Sequence, residues 1–180
     1  MLRVPDARTG GGGESGSGKG YIAMSLWEKS NRCDPRAREL ADRHYNRQRV
    51  GHVNFVPPGR CLVLYGESKI GKAFWVTSWP YAEYVKHKWG GAFVCSAFRN
   101  EGYGIASELI IEAVKLTVDY FGQIPSLGMV TFIDRNKVEP INRRGFLHWG
   151  YTYEKAGFKY EGETGSGLKV MRLYAENFPL

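Results

Sequence analysis

Apolar positions in this chain fall into short clustered runs and one long helical stripe. Cys61–Tyr65 (CLVLY) and Lys72–Trp79 (KAFWVTSW) are apolar, β-branched and aromatic, and GESKIG separates them. They predict a hairpin in which Gly66 and Gly71 supply turn conformations. Gly91–Phe98 (GAFVCSAF) predicts another strand, followed at once by a glycine-bearing turn and an amphipathic helix. In that helix Ile105, Leu109, Ala113, Leu116 and Tyr120 recur at helical spacing, and Gly122 and Pro125 stop it. Asp34 before Pro35 has the form of an N-cap followed by a first-turn proline, which predicts a helix to about Tyr45. Tyr21–Leu26 reads as a short first strand, and Gly128–Ile133 as a further one. Tyr151–Ala156 reads as a short helix ended by Gly157, and Phe158–Glu161 with Leu168–Tyr174 as a closing hairpin around GETGSG. Strands and helices in this order predict an α/β or α+β sheet protein with one covering helix at its centre. No internal repeat is visible.

The 180 residues suffice for one domain with a real core, and an apolar fraction of 43% excludes wholesale disorder. No apolar run approaches the roughly 18 residues of a membrane span, and MLRVPDARTGGGG lacks the apolar centre of a secretory signal. The expectation is a cytoplasmic protein with no membrane partner. Residues 1–20, which include TGGGGESGSGKG, read as a flexible lead-in to a single domain over 21–180. Gly13–Lys19 and Gly66–Lys72 both approach a P-loop, but Gly20 and Ala73 stand where Ser or Thr must hold magnesium, so neither predicts a nucleotide site. Cys33, Cys61 and Cys95 are odd in number and lack zinc spacing, which leaves them as small buried hydrophobes.

Charge changes the picture more than composition does. Twenty-five Lys and Arg against 18 Asp and Glu give a net +7, and the isoelectric point is near 9.3. Such a chain favours a polyanionic partner, with nucleic acid leading, although a solvated basic face carries the same charges. Arginines crowd the stretch from Arg32 to Arg60. Arg36, Arg43, Arg47, Arg49 and Arg60 are the candidates for phosphate contacts, because the planar guanidinium fork suits phosphate.

The segment Arg99-Asn100-Glu101-Gly102-Tyr103-Gly104 lies between the strand ending at Phe98 and the helix. Two glycines allow a tight turn, which leaves first-turn amides and the helix dipole aimed at an anion, a pyrophosphate cradle in principle. Further on stands TYEKAGF, Thr152–Phe158. With these two motifs the sequence resembles the GNAT acyltransferase superfamily, whose hallmark is an Arg/Gln-x-x-Gly-x-Gly/Ala turn after the fourth strand and a later Tyr-x-x-x-Gly-Phe. The resemblance implies a mixed, mostly antiparallel central sheet flanked by helices, with 21–180 as its catalytic domain. It also implies that Arg99, Asn100, Glu101, Gly102, Tyr103 and Gly104 bind the pyrophosphate of acetyl-CoA or a related acyl-CoA, with Tyr153 as general acid toward the departing thiolate.

A closer resemblance rests on an ordered set. It comprises His44-Tyr45-Asn46-Arg47, Pro58-Gly59-Arg60-Cys61-Leu62-Val63-Leu64, Phe74-Trp75, Ser78-Trp79, Phe98-Arg99-Asn100-Glu101, Ser107-Glu108-Leu109-Ile110 and Thr131-Phe132-Ile133-Asp134. Over about residues 42–175 the chain is similar to the phage Mom family, GNAT-like enzymes that convert adenine in phage DNA to N6-carbamoylmethyladenine and so shield it from host restriction. The resemblance implies a transferase acting on double-stranded DNA in an infected bacterial cell, as monomer or homodimer. It gives His44, Tyr45, Arg99, Ser107 and Asp134 roles in activity. Two departures are visible: Lys137–Trp149 is longer than typical, and Ala106 replaces a serine before Ser107. Both leave the later tyrosine open between Tyr151 and Tyr153.

The substrate places its own demands. A paired adenine must be extruded and held between flat side chains, and Trp75, Trp79, Tyr81 and Trp89 are available, although aromatic residues in strands more often belong to the core. His44 is either a helix-end cap or the base that takes the amine proton. Asp134, one residue past a strand, is either a cleft-facing carboxylate or a turn former. His44, Tyr45 and Asp134 also have the donor types of an iron site. Simple acyl transfer would leave an acetyl amide, so the carbamoylmethyl donor is not named by these motifs. Two alternatives stand beside this expectation: a conventional acetyl-CoA N-acetyltransferase of a small amine or protein lysine, and a non-catalytic DNA-binding protein on the same fold.

Overall fold

The computed structural model describes residues 25–179. The lead-in over 1–20, its P-loop-like Gly13–Lys19 and most of the expected first strand lie outside these residues. Within them the elements follow in order: β1 (Glu28–Ser30), α1 (Pro35–Asp42), β2 (Arg60–Glu67), β3 (Lys72–Trp79), β4 (Phe93–Glu101), α2 (Ala106–Phe121), β5 (Met129–Ile133), β6 (Ile141–Arg143), β7 (Phe146–His148), α3 (Tyr151–Lys155), β8 (Lys159–Glu163) and β9 (Lys169–Leu173). Seven strands form one sheet in the order β1-β2-β3-β4-β5-β9-β8, while β6 and β7 pair apart from it. Every junction in the large sheet is antiparallel except β4 with β5. The fold is therefore mixed α+β with a mostly antiparallel sheet. Among the described residues no helix is long and apolar enough to cross a membrane.

Period-two alternation in β2 and β3 sends side chains to two separate cores. Leu62, Leu64, Ala73 and Trp75 join α2 residues Leu109, Ile110, Ala113 and Val114 on one face. Val63, Tyr65, Phe74 and Val76 join α1 residues Ala37, Leu40 and Ala41 on the other. Both faces are covered, so these strands read as continuous apolar runs. The helix stripe is close to the expected one, but Ile105 is exposed at the N-cap position and Tyr120 is also exposed. Gly122 ends α2 in the left-handed conformation, with φ of 73°.

The first helix begins as its sequence predicts, with Asp34 accepting from the Arg36 amide and Pro35 in the first turn, but it ends at Asp42. His44 and Tyr45 therefore stand on the connection beyond it. Ser25 and Leu26 are not in a strand, and the first strand is Glu28–Ser30. Gly66 and Gly71 are needed for close approach and not for turn conformations. Gly66 pairs with Ala73 inside the hairpin, and neither glycine has positive φ. A Cβ on Gly66 would meet the Tyr103 ring at 2.3 Å, and one on Gly71 would meet the Glu101 carbonyl at 2.3 Å. The β6–β7 hairpin has no counterpart in the sequence prediction. It turns through Arg144 and Gly145, whose φ values of 51° and 85° are those of a two-residue hairpin turn.

Candidate active site

The parallel junction creates the site. β4 and β5 pair only over Phe93–Cys95 against Met129–Thr131, and beyond these three pairs the strands separate. A cavity of about 200 Å³ opens in the gap. Ser96, Ala97 and Phe98 of β4 form one wall, and Thr131, Phe132 and Ile133 of β5 the other. His44 and Tyr45 enter from the connection after α1, Tyr151 and Tyr153 from α3, and Ile141 and His148 from the small hairpin. Position at the carboxyl ends of two parallel strands is where an open sheet leaves room for a ligand.

Within the cavity the His44 and Tyr45 rings stack at 4.6 Å between centroids. The His44 Nδ1 lies 2.5 Å from the Asn46 Oδ1, and the Asn46 side-chain amide donates to the Ser96 carbonyl at 2.7 Å. Burial pushes the His44 imidazole below its ordinary value of 6.5, against the raising effect of its bonds to Asn46 and the Phe98 backbone. The ring is therefore neutral at pH 7 and can accept a proton. The Tyr45 hydroxyl donates to the Phe132 carbonyl at 2.9 Å, and burial pushes it up to about 12. Tyr153 packs edge-on against Phe98 and Phe158, its oxygen 3.4 Å from the Cys95 Sγ. Burial, with Cys95 beside it, raises this phenol well above its ordinary range, and burial raises the Cys95 thiol to about 12. Tyr153 thus keeps its proton at neutral pH. Tyr151 sits nearer the rim, with Arg143 over its ring at 4.3 Å.

Asp134 does not line the cavity but stands beside it, with its backbone bonded to the Tyr45 hydroxyl and its charge acting on that phenol, whereas Ser107 lies outside the group. Asp134 accepts from the Asn136 amide at 3.0 Å, the turn-forming arrangement that is the alternative to a cleft carboxylate. Ser107 lies in the first turn of α2 and does not line the cavity. No group of three His, Cys, Asp or Glu at metal spacing occurs among the described residues.

The glycine turn is present but differently arranged from its expectation. Arg99, Asn100 and Glu101 belong to β4, and Gly102 alone of the two glycines has positive φ, 79°. The Arg99 guanidinium donates to Glu101 at 2.6 Å and to the Arg43 carbonyl at 2.8 Å, so it does not face outward from the turn. The Tyr103 amide donates to the Asn100 Oδ1 at 3.0 Å, and the Asn100 side chain donates to the Gly104 carbonyl. The first bond within α2 runs from Leu109 to Ile105, which leaves the amides of Ala106, Ser107 and Glu108 ahead of it, and Ile105 offers no side-chain cap. The Arg99 side chain is turned away from these three amides, toward Glu101 and the Arg43 carbonyl.

Most residues expected to touch DNA are otherwise engaged. Trp75 is fully buried and donates to the Thr77 hydroxyl, so it serves the core and has no face for a base. Arg36 pairs with Asp34 and Glu28, and Arg43 with Glu101 and Glu39. Arg47 is almost wholly buried, bonding Asp42 at 2.7 Å and the His52 carbonyl at 2.7 Å, where it clamps the loop before β2. Arg49 is exposed, and Arg60 lies over the half-buried Trp79 ring at 4.2 Å. Arg60 pairs with Trp79 at the end of the sheet where β4 begins, away from the glycine turn. Trp89 is buried, whereas Tyr81 is exposed.

Residues to which the sequence reading assigned no role in the site complete it. Cys95 and Thr131 underlie Tyr153, Phe98 and Phe132 form flat walls, and Ile141 with His148 close the rim. Phe98, Thr131 and Phe132 stand in the ordered set quoted above without a role of their own, and the length of Lys137–Trp149 was the one visible signal for Ile141 and His148. Comparison with protein-family models, with curated proteins and with solved structures gives no match.

Proposed function

We propose that this chain is a GNAT-like transferase of Mom type, modifying the exocyclic amine of adenine in double-stranded DNA. The observation that carries the reading is the cavity between β4 and β5, which gathers a neutral imidazole, two protonated phenols and flat aromatic walls from four separate parts of the chain. A flipped base needs such walls, and proton traffic at an amine needs such groups. His44 takes the proton that leaves the adenine amine as its nitrogen bonds to the donor carbon. Tyr153 holds the proton that the leaving atom receives. Tyr45, stacked on His44 and bonded to the Phe132 carbonyl, fixes the ring in place.

Acetyl-CoA or a related acyl-CoA supplies activated carbon in this class of chemistry. The backbone amides of Ala106, Ser107 and Glu108 would hold its diphosphate, following the strand-turn-helix order of β4, Gly102–Gly104 and α2. An acyl donor alone yields an amide, whereas a carbamoylmethyl product requires a donor with an electrophilic methylene beside a carboxamide.

The test is co-expression with a plasmid, followed by nuclease digestion and nucleoside mass spectrometry. A modified deoxyadenosine that disappears in His44→Ala supports the reading, and unmodified deoxyadenosine in the presence of folded protein overturns it. Turnover of a small amine that is unaffected in His44→Ala identifies a conventional N-acetyltransferase instead. Duplex binding with no calorimetric response to acetyl-CoA and no modified base identifies a non-catalytic DNA-binding protein.

A further inference from the structure

The β6–β7 hairpin stands apart from the main sheet and leaves its apolar side chains in water. Phe146 is 72% exposed and Leu147 55% exposed. A two-stranded ribbon is marginal by itself, and large exposed side chains at its tip add nothing to a core. Register shows where they point. Ile141 pairs with His148 and Arg143 with Phe146, so by the alternation of an antiparallel pair these four share one face. Ile141 and His148 line the cavity between β4 and β5, so this is the face that leads out of it. Arg143, Arg144, Phe146 and His148 also line an open surface hollow at the same place. The hairpin is anchored to the site through Arg143, whose guanidinium lies over the Tyr151 ring, and through His148, 3.4 Å from Glu154.

We infer that this hairpin is the element that opens the duplex, with Phe146 entering the base stack beside the target nucleotide and Arg143 and Arg144 on the flanking phosphates. The inference rests on the reading of the cavity as a site for an extruded adenine. Its own support is the chemistry of the tip: an exposed aromatic wedge, two adjacent cations and a direct route from tip to cavity. Apolar wedges that unstack a base step are flanked by cations for the same reason, since the wedge must be held against a charged backbone. Neither Arg143 nor Arg144 has an acidic partner in the ion pairs found among the described residues, in contrast with Arg36, Arg43 and Arg47.

The experiment uses the whole chain and a duplex carrying 2-aminopurine at the target adenine, whose fluorescence rises when the base leaves the stack. The wild-type chain is expected to bind and to raise the signal. Phe146→Ala is expected to bind within about threefold of wild type while losing most of that rise, and Phe146→Trp to restore it. Substitution of Arg144→Gln is expected to weaken duplex binding and to lower the salt slope by about 0.9, the value per phosphate contact, and Arg143 is kept in this variant because it also anchors the hairpin on Tyr151. Phe146 is exposed, so an unchanged melting temperature in Phe146→Ala accompanies the result. A wild-type rise in fluorescence that Phe146→Ala retains in full overturns the wedge and leaves the adenine reading intact. Absence of duplex binding by the wild-type chain overturns both. A wild-type dimer that Phe146→Ala converts to monomer, with duplex opening unchanged, makes the hairpin a contact between two copies and overturns the wedge.

Discussion

Burial decides the charge of His44. The imidazolium would lose solvation in the cleft, so the neutral ring persists below the ordinary value of 6.5. The acid limb of the rate of adenine modification is therefore expected below pH 6.5, with activity lost only as pH falls through the lowered value. A pH–rate profile checks this, and an acid limb above 6.5 removes His44 as the base. Tyr153 divides structure from chemistry more cleanly. Tyr153→Phe keeps the ring contacts with Phe98 and Phe158 and loses the contacts of the hydroxyl with Cys95 and Thr131, so stability should fall by about 1–2 kcal/mol. Its rate should fall by about 10²- to 10⁴-fold, the contribution expected of a general acid. Full activity in Tyr153→Phe would assign the proton to Tyr151.

Among the elements, α1 carries the clearest link between pH and folding. The Asp34 carboxylate caps the helix and also accepts from Ser30 and from the Arg36 side chain, and the Arg36 bond chiefly holds it down at about 2. A depressed carboxyl contributes stability that is present above its unfolded value of 3.8 and is lost as pH falls through about 2. Asp34→Asn is expected to be about 1–2 kcal/mol less stable than wild type at pH 7, with the gap narrowing toward pH 2. Urea unfolding at both pH values measures it. The same Asp-Pro pair made the start of this helix legible in the sequence, whereas its end was not. His44 and Tyr45 continue the apolar pattern past Asp42 because they pack into the cleft, and a local pattern cannot tell cleft from helix. The β6–β7 hairpin was invisible for another reason: three-residue strands of mixed polarity have no measurable period. Trp75 was misread because β3 is covered on both faces, which makes every aromatic side chain in KAFWVTSW look equally available.

At the scale of the molecule, net charge and usable charge differ. The formal +7 includes Arg36, Arg43 and Arg47, which are held by Glu28, Asp34, Glu39, Asp42 and Glu101. Arg43→Gln should therefore leave the slope of log affinity for duplex DNA against log salt nearly unchanged, while loss of Arg144 lowers it. Binding measured between about 50 and 200 mM salt separates them, and a reduced slope in Arg43→Gln would place the DNA on the α1 side of the sheet. The cleft charted in the sheet also has an order of construction. β5 pairs with β4 on one side and with β9 on the other, although residues 169–173 are made long after 129–133. While a nascent chain emerges from the ribosome, the amide edge of Met129–Ile133 waits without its second partner, and unpaired strand edges invite the wrong neighbour. The wall that supports Phe132 and Ile133 is thus completed only after β9 has been synthesised, so the cleft cannot work on a half-made chain.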